Sequence, residues 1–218
     1  MIQRLTMKPL RTAMLASSGL FAGLAGAADY NDGNGKMWRQ LTETQGLSWA
    51  QIASVCPVDG RTACGGSVAG VDLTGWTWAT QSHVIGLFNT YLPTTGQLTQ
   101  QQTRVGGMDY YDAASSFITQ AIAPTNRHST DYSFSHHAIG WISQLAPGGV
   151  AMRAIVDYRT SSVTLVGAFQ VADAVDPGVP LQDTGFWLWR EAAAIPEPQT
   201  ALLLGVGLAG LLLARRLN

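Results

Sequence analysis

Residues 138–171, AIGWISQLAPGGVAMRAIVDYRTSSVTLVGAFQV, contain three short apolar or alternating runs: Ala138 to Leu145, Ala151 to Tyr158 and Val163 to Val171. Runs of this length, rich in β-branched and aromatic residues, read as strands. Pro147-Gly148-Gly149 and Arg159-Thr160-Ser161 supply the hairpin-like connections between them. Downstream, Asp173 to Asp183 mixes prolines with aspartates and reads as a loop. GFWLWRE, Gly185 to Glu191, then reads as a last strand.

Upstream the period changes. Thr80 can cap a helix in which Val84, Leu87, Phe88, Tyr91 and Leu92 form one apolar face, stopped by Pro93. A shorter helix, Trp49 to Val55, has Ser48 at its N-cap and ends at Cys56-Pro57. A third, Asp109 to Ala123, has Asp109 as cap, Asp112 as its partner, and Tyr110, Ala114, Phe117, Ile118 and Ala121 on one face. KMWRQLT, Lys36 to Thr42, reads as a strand with Met37, Arg39 and Leu41 on one side. The expectation is a single α+β domain of two or three helices followed by a mainly antiparallel sheet. Its first and last strands, MWRQL and FWLWR, are expected to pair and bring the chain ends together.

Composition narrows function. Between Ala28 and Ile195, eight basic and thirteen acidic residues leave a net charge of −5. A mildly acidic domain without a basic patch argues against nucleic acid, where phosphate neutralisation supplies most non-specific affinity. Cys56 and Cys64 are the only cysteines, and their spacing suggests a disulfide around a surface loop in an oxidising compartment. The turn-rich DYNDGNG at Asp29 to Gly35 is out of phase for a calcium loop, which needs Gly at its sixth position. LPTTG at Leu92 to Gly96 reads as a helix stop and turn.

His83, His128, His136 and His137 match no zinc spacing, and His128 and His136 are expected in a loop beside Asp131. No nucleophile elbow or phosphate loop occurs, so no catalytic residue, metal or cofactor is expected. The alternative is a secreted glycoside hydrolase using an Asp pair that the sequence does not single out. Tryptophan stands out instead. Trp76/Trp78 and Trp187/Trp189 are spaced i, i+2, so each pair projects from one face of a strand. They are candidate glycan contacts if exposed and core residues if not.

Both ends carry processing signals. Met1 to Arg11 holds three positive charges, followed by a short apolar stretch and Ala25-Gly26-Ala27. This is the layout of a secretory signal peptide over residues 1–27, cut after Ala27 or alternatively after Ala28. At the other end, residues 195–218 read IPEPQTALLLGVGLAGLLLARRLN. The glutamate of Pro196-Glu197-Pro198 sits on stiff, extended backbone. The apolar run 201–214 is followed by Arg215-Arg216, a cytoplasmic signature. As a helix the run spans about 21 Å against a hydrocarbon core of about 30 Å, which is short for a permanent anchor.

Triad, apolar run and basic end resemble the PEP-CTERM sorting tail of Gram-negative envelope proteins. The resemblance implies export, transient residence in the inner membrane, and cleavage at the triad by an exosortase-type membrane protease. It implies a final place at the cell surface or in an extracellular matrix, in a setting of exopolysaccharide and biofilm. The series MWRQL, GLSWAQI, the Cys pair, GWTWATQSHVIGLF and GFWLWR resembles a module common among such proteins. It also resembles the C-type-lectin-like C-terminal domain of bacterial collagen-like adhesins, with Trp78-Ala79-Thr80 at that family's W-R-x-P-T position and without its arginine and proline. These resemblances imply a non-catalytic, polysaccharide-binding or matrix-structural domain over residues 28–194.

Overall fold

A computed structural model describes residues 28–130, 133–161 and 164–193. The expected signal positions Ala25 and Ala27, the triad Pro196-Glu197-Pro198, the span 201–214 and Arg215-Arg216 lie outside the described residues. Among the described residues no helix is long and apolar enough to cross a membrane.

The strands, in chain order, begin with β1 (Tyr30–Asn31), β2 (Lys36–Trp38), β3 (Ser67–Val68), β4 (Val71–Asp72), β5 (Thr77–Trp78) and β6 (Arg104–Gly107). There follow β7 (Asn126–Thr130), β8 (Ser133–Leu145), β9 (Ala151–Ser161), β10 (Leu165–Val175), β11 (Gly185–Phe186) and β12 (Leu188–Glu191). The helices are α1 (Trp49–Ala53), α2 (Gln81–Asn89) and α3 (Tyr111–Ser116). The domain is mainly β and compatible with the α+β expectation.

The large sheet runs β11-β8-β9-β10-β6, with β7 also paired to β8. Its centre is the stretch 138–171, paired antiparallel from Ser133↔Ser161 to Gly140↔Ala154 and on to β10. The small sheet runs β1-β2-β12-β5, and β3 pairs with β4 alone. β2 and β12, from the segments MWRQL and FWLWR, are neighbours as expected, in the register Trp38↔Trp189, Met37↔Arg190 and Lys36↔Glu191.

GFWLWRE is not one strand but a stitch between sheets. Gly185 and Phe186 pair in parallel with Gly140 and Trp141, whereas Leu188 to Glu191 belong to the small sheet. Alternation then sends neighbouring side chains into different cores. Trp187 packs with Trp38, Phe88, Phe117, Ile142 and Phe169. Phe186 and Leu188 pack with Ile52, Trp76, Trp78 and Trp141 in a second cluster around the disulfide. Cys56 and Cys64 are bonded as expected.

The helix caps follow the sequence at two of three places. Ser48 and Thr80 each accept from the backbone N–H three residues on and complete capping boxes with Gln51 and His83. Val84, Leu87, Phe88 and Leu92 are buried and Tyr91 partly so, and LPTTG ends in a short 3-10 turn, Thr94–Gly96. The third helix differs. Asp109 makes no side-chain cap, Met108–Tyr110 is a 3-10 turn, and α3 passes into a π turn over Phe117–Ala121. Its start is fixed by packing instead: a Cβ at Gly167 would come within 2.2 Å of the Tyr110 carbonyl oxygen. The face Ala114, Phe117, Ile118 and Ala121 is buried as read.

Two strand readings shift. β10 continues through Asp173, expected in a loop, because a register shift after Val171 lets the carboxylate pair with Arg153. β2 stops at Trp38, which is the buried residue, and Gln40 turns inward where Met37, Arg39 and Leu41 were expected to form the face. Leu41 is buried too, but in the 3-10 turn Leu41–Thr44.

Candidate functional site

Three of the four candidate tryptophans are buried in the core. Trp78 and Trp187 are 0% exposed and Trp76 6%. The Trp78 indole donates to the Trp141 carbonyl and that of Trp187 to the Ala154 carbonyl. Such burial leaves no face on which a sugar ring could stack. Trp76 is roofed by Arg190 and Arg39, whose guanidinium carbons lie 4.4 and 5.4 Å from its ring centre. Trp189 keeps partial exposure, but Lys36 and the His83 ring pack against it at 5.0 and 5.1 Å.

The best-formed concavity lies elsewhere, a cleft of about 620 Å³ beside β1. One wall is the start of the domain, Ala28, Asp29, Tyr30 and Asn31; the opposite wall is the π turn from Ile118 to Ala121, with Ala123 and Pro124. Arg127, His136 and Tyr158 close it from the large sheet. Its volume suits a small ligand or a short stretch of polymer, which occupy clefts of about 300–1,000 Å³.

Sheet register builds the third wall. Arg127 lies opposite His136, and His136 opposite Tyr158, so all three project side by side from one face. The His136 Nδ1 and the Tyr158 hydroxyl share a hydrogen bond. Phe134 and Tyr111 extend this ledge, their rings 6.0 and 5.7 Å from that of Tyr158. Burial, then the charges of Arg127 and His137, hold His136 below the ordinary histidine range. Its imidazole is therefore neutral and can donate and accept at near-neutral pH.

Gln40 forms the floor, 2% exposed and fully used. Its amide nitrogen donates to the carbonyls of Ala28 at 2.7 Å and Ala121 at 2.9 Å, and its oxygen accepts from Ala123 N–H at 2.8 Å. One side chain thus fixes the distance between the two main walls. The π turn has the Ile122 N–H bonded five residues back to the Phe117 carbonyl. Such turns recur where a helix is locally reshaped at a site.

A second, more open cleft of about 540 Å³ shares Ala28 and Asp29 and holds Arg39, Glu43, Asp72, Thr74, Trp76 and Arg190. Its acids are engaged. Asp29 pairs with Arg190 at 3.2 Å and Glu43 with Arg39 at 2.8 Å, while Asp72 accepts from Thr74 N–H. Burial, then Glu43, push the Asp29 carboxyl above the usual carboxylate range.

The histidine expectation changes with the fold. His128 and His136 lie on β7 and β8, not in a loop. Among the described residues no three His, Cys, Asp or Glu side chains gather as metal ligands. Sequence reading missed Arg127, Tyr158 and Gln40. The available signal was phase: His136 alternates with Ala138, Gly140 and Ile142 and so belongs to the core-facing side of β8.

Residues 194–216 match the model of the PEP-CTERM protein-sorting motif. The motif begins two residues after Ala192, whose N–H still bonds to Gly35. The chain therefore carries a PEP-CTERM sorting motif at this end, which supports export and exosortase processing at the membrane. No curated protein and no solved structure matches it, and the lectin-like expectation for the globular part finds no support.

Proposed function

We propose that this exported PEP-CTERM protein is a non-catalytic binding or matrix-structural component of extracellular polysaccharide, and that the cleft between β1 and the π turn is where polysaccharide is held. The observation that carries the reading is the composition of that cleft. Asn31, Gln120, Thr119 and Asp29 offer hydroxyl-matching donors and acceptors beside the ring edges of Tyr158 and His136. Sugars are bound by this combination of polar groups and aromatic carbon. Engagement of every carboxylate in the neighbouring cleft by an arginine or a backbone amide supports a non-catalytic role. The layout fits release after an N-terminal cut at residue 27, transient membrane retention by 201–214, and final residence at the surface.

The test is retention of the purified exported protein on immobilised bacterial exopolysaccharides, neutral and acidic. Retention is expected, with Arg127→Ala and Asn31→Ala each weakening it about tenfold, as loss of about 1.4 kcal/mol of contact implies. No retention on any polysaccharide overturns the binding reading.

One observation favours the hydrolase alternative. Asp29, raised above its ordinary range, shares an open cleft with Glu43, and two carboxyl groups of which one is raised is the arrangement of glycosidases. Release of reducing ends that Asp29→Asn abolishes would establish it; none from any substrate in the panel leaves the binding reading.

A further inference from the structure

The end of the domain stands unusually close to the place where the tail is cut. β12 is followed by Ala192, whose N–H bonds to the Gly35 carbonyl at 2.9 Å. Four residues further on stands Pro196, the first of the triad. Even fully extended, four residues reach only about 14 Å. A domain of roughly this length has a radius of gyration of about 15 Å, so the cut lies nearer to the fold than the fold's own radius.

Fraying cannot lengthen this tether much. β12 is an interior strand, bonded to β2 on one side and β5 on the other. Release beyond Arg190 would uncover half-buried Trp189, which is paired to both β2 and β5, and then fully buried Leu188. The surface that accompanies the tail is equally fixed. Beside Glu191 lies Lys36, and Lys36 closes the turn that begins at Asn31. Within it, Asp32 accepts from the backbone N–H groups of Asn34 and Lys36 and from the Trp38 indole. Asn34, Gly35 and Glu191 are exposed.

We infer that the turn Asn31–Lys36, together with Glu191, is a docking surface that bears on the membrane-embedded processing protease while the tail is being cut. The tether is too short for the enzyme to reach the triad without touching this end of the small sheet. The part of the turn-rich stretch from Asp32 to Gly35 thereby gains a role that neither cleft gives it. The inference rests on exosortase processing of the tail.

The experiment follows conversion of the full-length precursor in a host that processes PEP-CTERM tails. Its variants are Asn34→Arg with Glu191→Arg, the same pair with a ten-residue Gly/Ser spacer after Ala193, and Glu197→Ala. The charge-altered pair is expected to slow conversion at least fivefold at native spacing and to convert normally with the spacer. An unchanged rate at native spacing, with Glu197→Ala blocked, overturns the docking surface. So does a slow rate that persists with the spacer, since that assigns the defect to folding or export. Normal conversion of Glu197→Ala would instead overturn the processing reading on which the inference rests.

Discussion

Arg190, two residues before the last bonded residue of the domain, donates from Nη2 to the Asp29 carboxylate across 3.2 Å. The same guanidinium covers Trp76 at 4.4 Å. One side chain therefore fastens the two ends of the domain and seals the second core. Half of it is exposed to water, so the ion pair itself is worth little. Arg190→Ala is expected to cost no more than about 1 kcal/mol, measured by urea unfolding. The sharper readout is tryptophan fluorescence, which should become more accessible to acrylamide as the Trp76 indole loses its roof.

Gly185 tests the stitch between sheets. A Cβ there would stand 2.0 Å from the Leu41 carbonyl oxygen, and backbone on both sides prevents either from yielding. Gly185→Ala should cost at least the upper end of the about 1–3 kcal/mol typical of overpacking. Thermal unfolding decides it: a melting temperature within a degree of the parent would show that β11 can move off Leu41, contrary to its packing. Gly33→Ala is the control for crowding, because a Cβ there meets nothing within 4 Å. Its positive φ of 73° still carries a small conformational penalty.

The disulfide closes a loop between residues eight positions apart, and Cys56 and Cys64 are buried in the second core. On the loop-entropy model a ring of this size contributes about 2.5 kcal/mol. Reduction, or the double change Cys56→Ala with Cys64→Ala, should lower the melting temperature by about 5–10 °C at this domain size. A smaller loss would mean that packing of α1 on Leu73 and Trp78 holds the loop without the bond.

Local signals were the legible ones. The N-caps Ser48 and Thr80, the apolar face of α2 and the strand run 138–171 depend on neighbours in sequence, and the sequence displays them. The pairing of MWRQL with FWLWR could be anticipated because edge-of-domain strands of like composition tend to meet. What could not be read was set by distant partners. Asp109 looks like a cap, but the helix start answers to Gly167, nearly sixty residues away. Asp173 looks like a loop residue until Arg153 on the next strand neutralises it. Of the i, i+2 tryptophans only Trp78 and Trp189 lie within strands, and the spacing carries no sign for inside or outside. The cleft was invisible for the same reason: Gln40, Arg127 and Tyr158 meet only through register.

The ledge in that cleft makes a pH prediction whose sign follows from His136. Burial and the Arg127 charge hold its folded pKa below the unfolded value of 6.5. The unfolded chain then binds more protons than the fold between the two values, so stability from this group is present above pH 6.5. It is lost as the pH falls through the folded value. His83, half-buried and facing the charges of Lys36 and Arg61, is lowered by that desolvation and then by those charges, and adds to the effect. Asp29 and Asp157 are raised instead, so their protonated forms are favoured in the fold. Their stabilisation is complete only below the usual carboxylate range and is lost as the pH rises through the folded values, opposite in sign to the histidines. The histidine share therefore lowers the unfolding midpoint as the pH falls below 6.5, against the opposite carboxylate share. Following the His136 ring protons by NMR separates its share. Its titration midpoint should lie below 6.5 and move upward in Arg127→Ala, because a like charge is removed. If the midpoint instead stays put while retention on polysaccharide falls, Arg127 touches the ligand without acting on the imidazole.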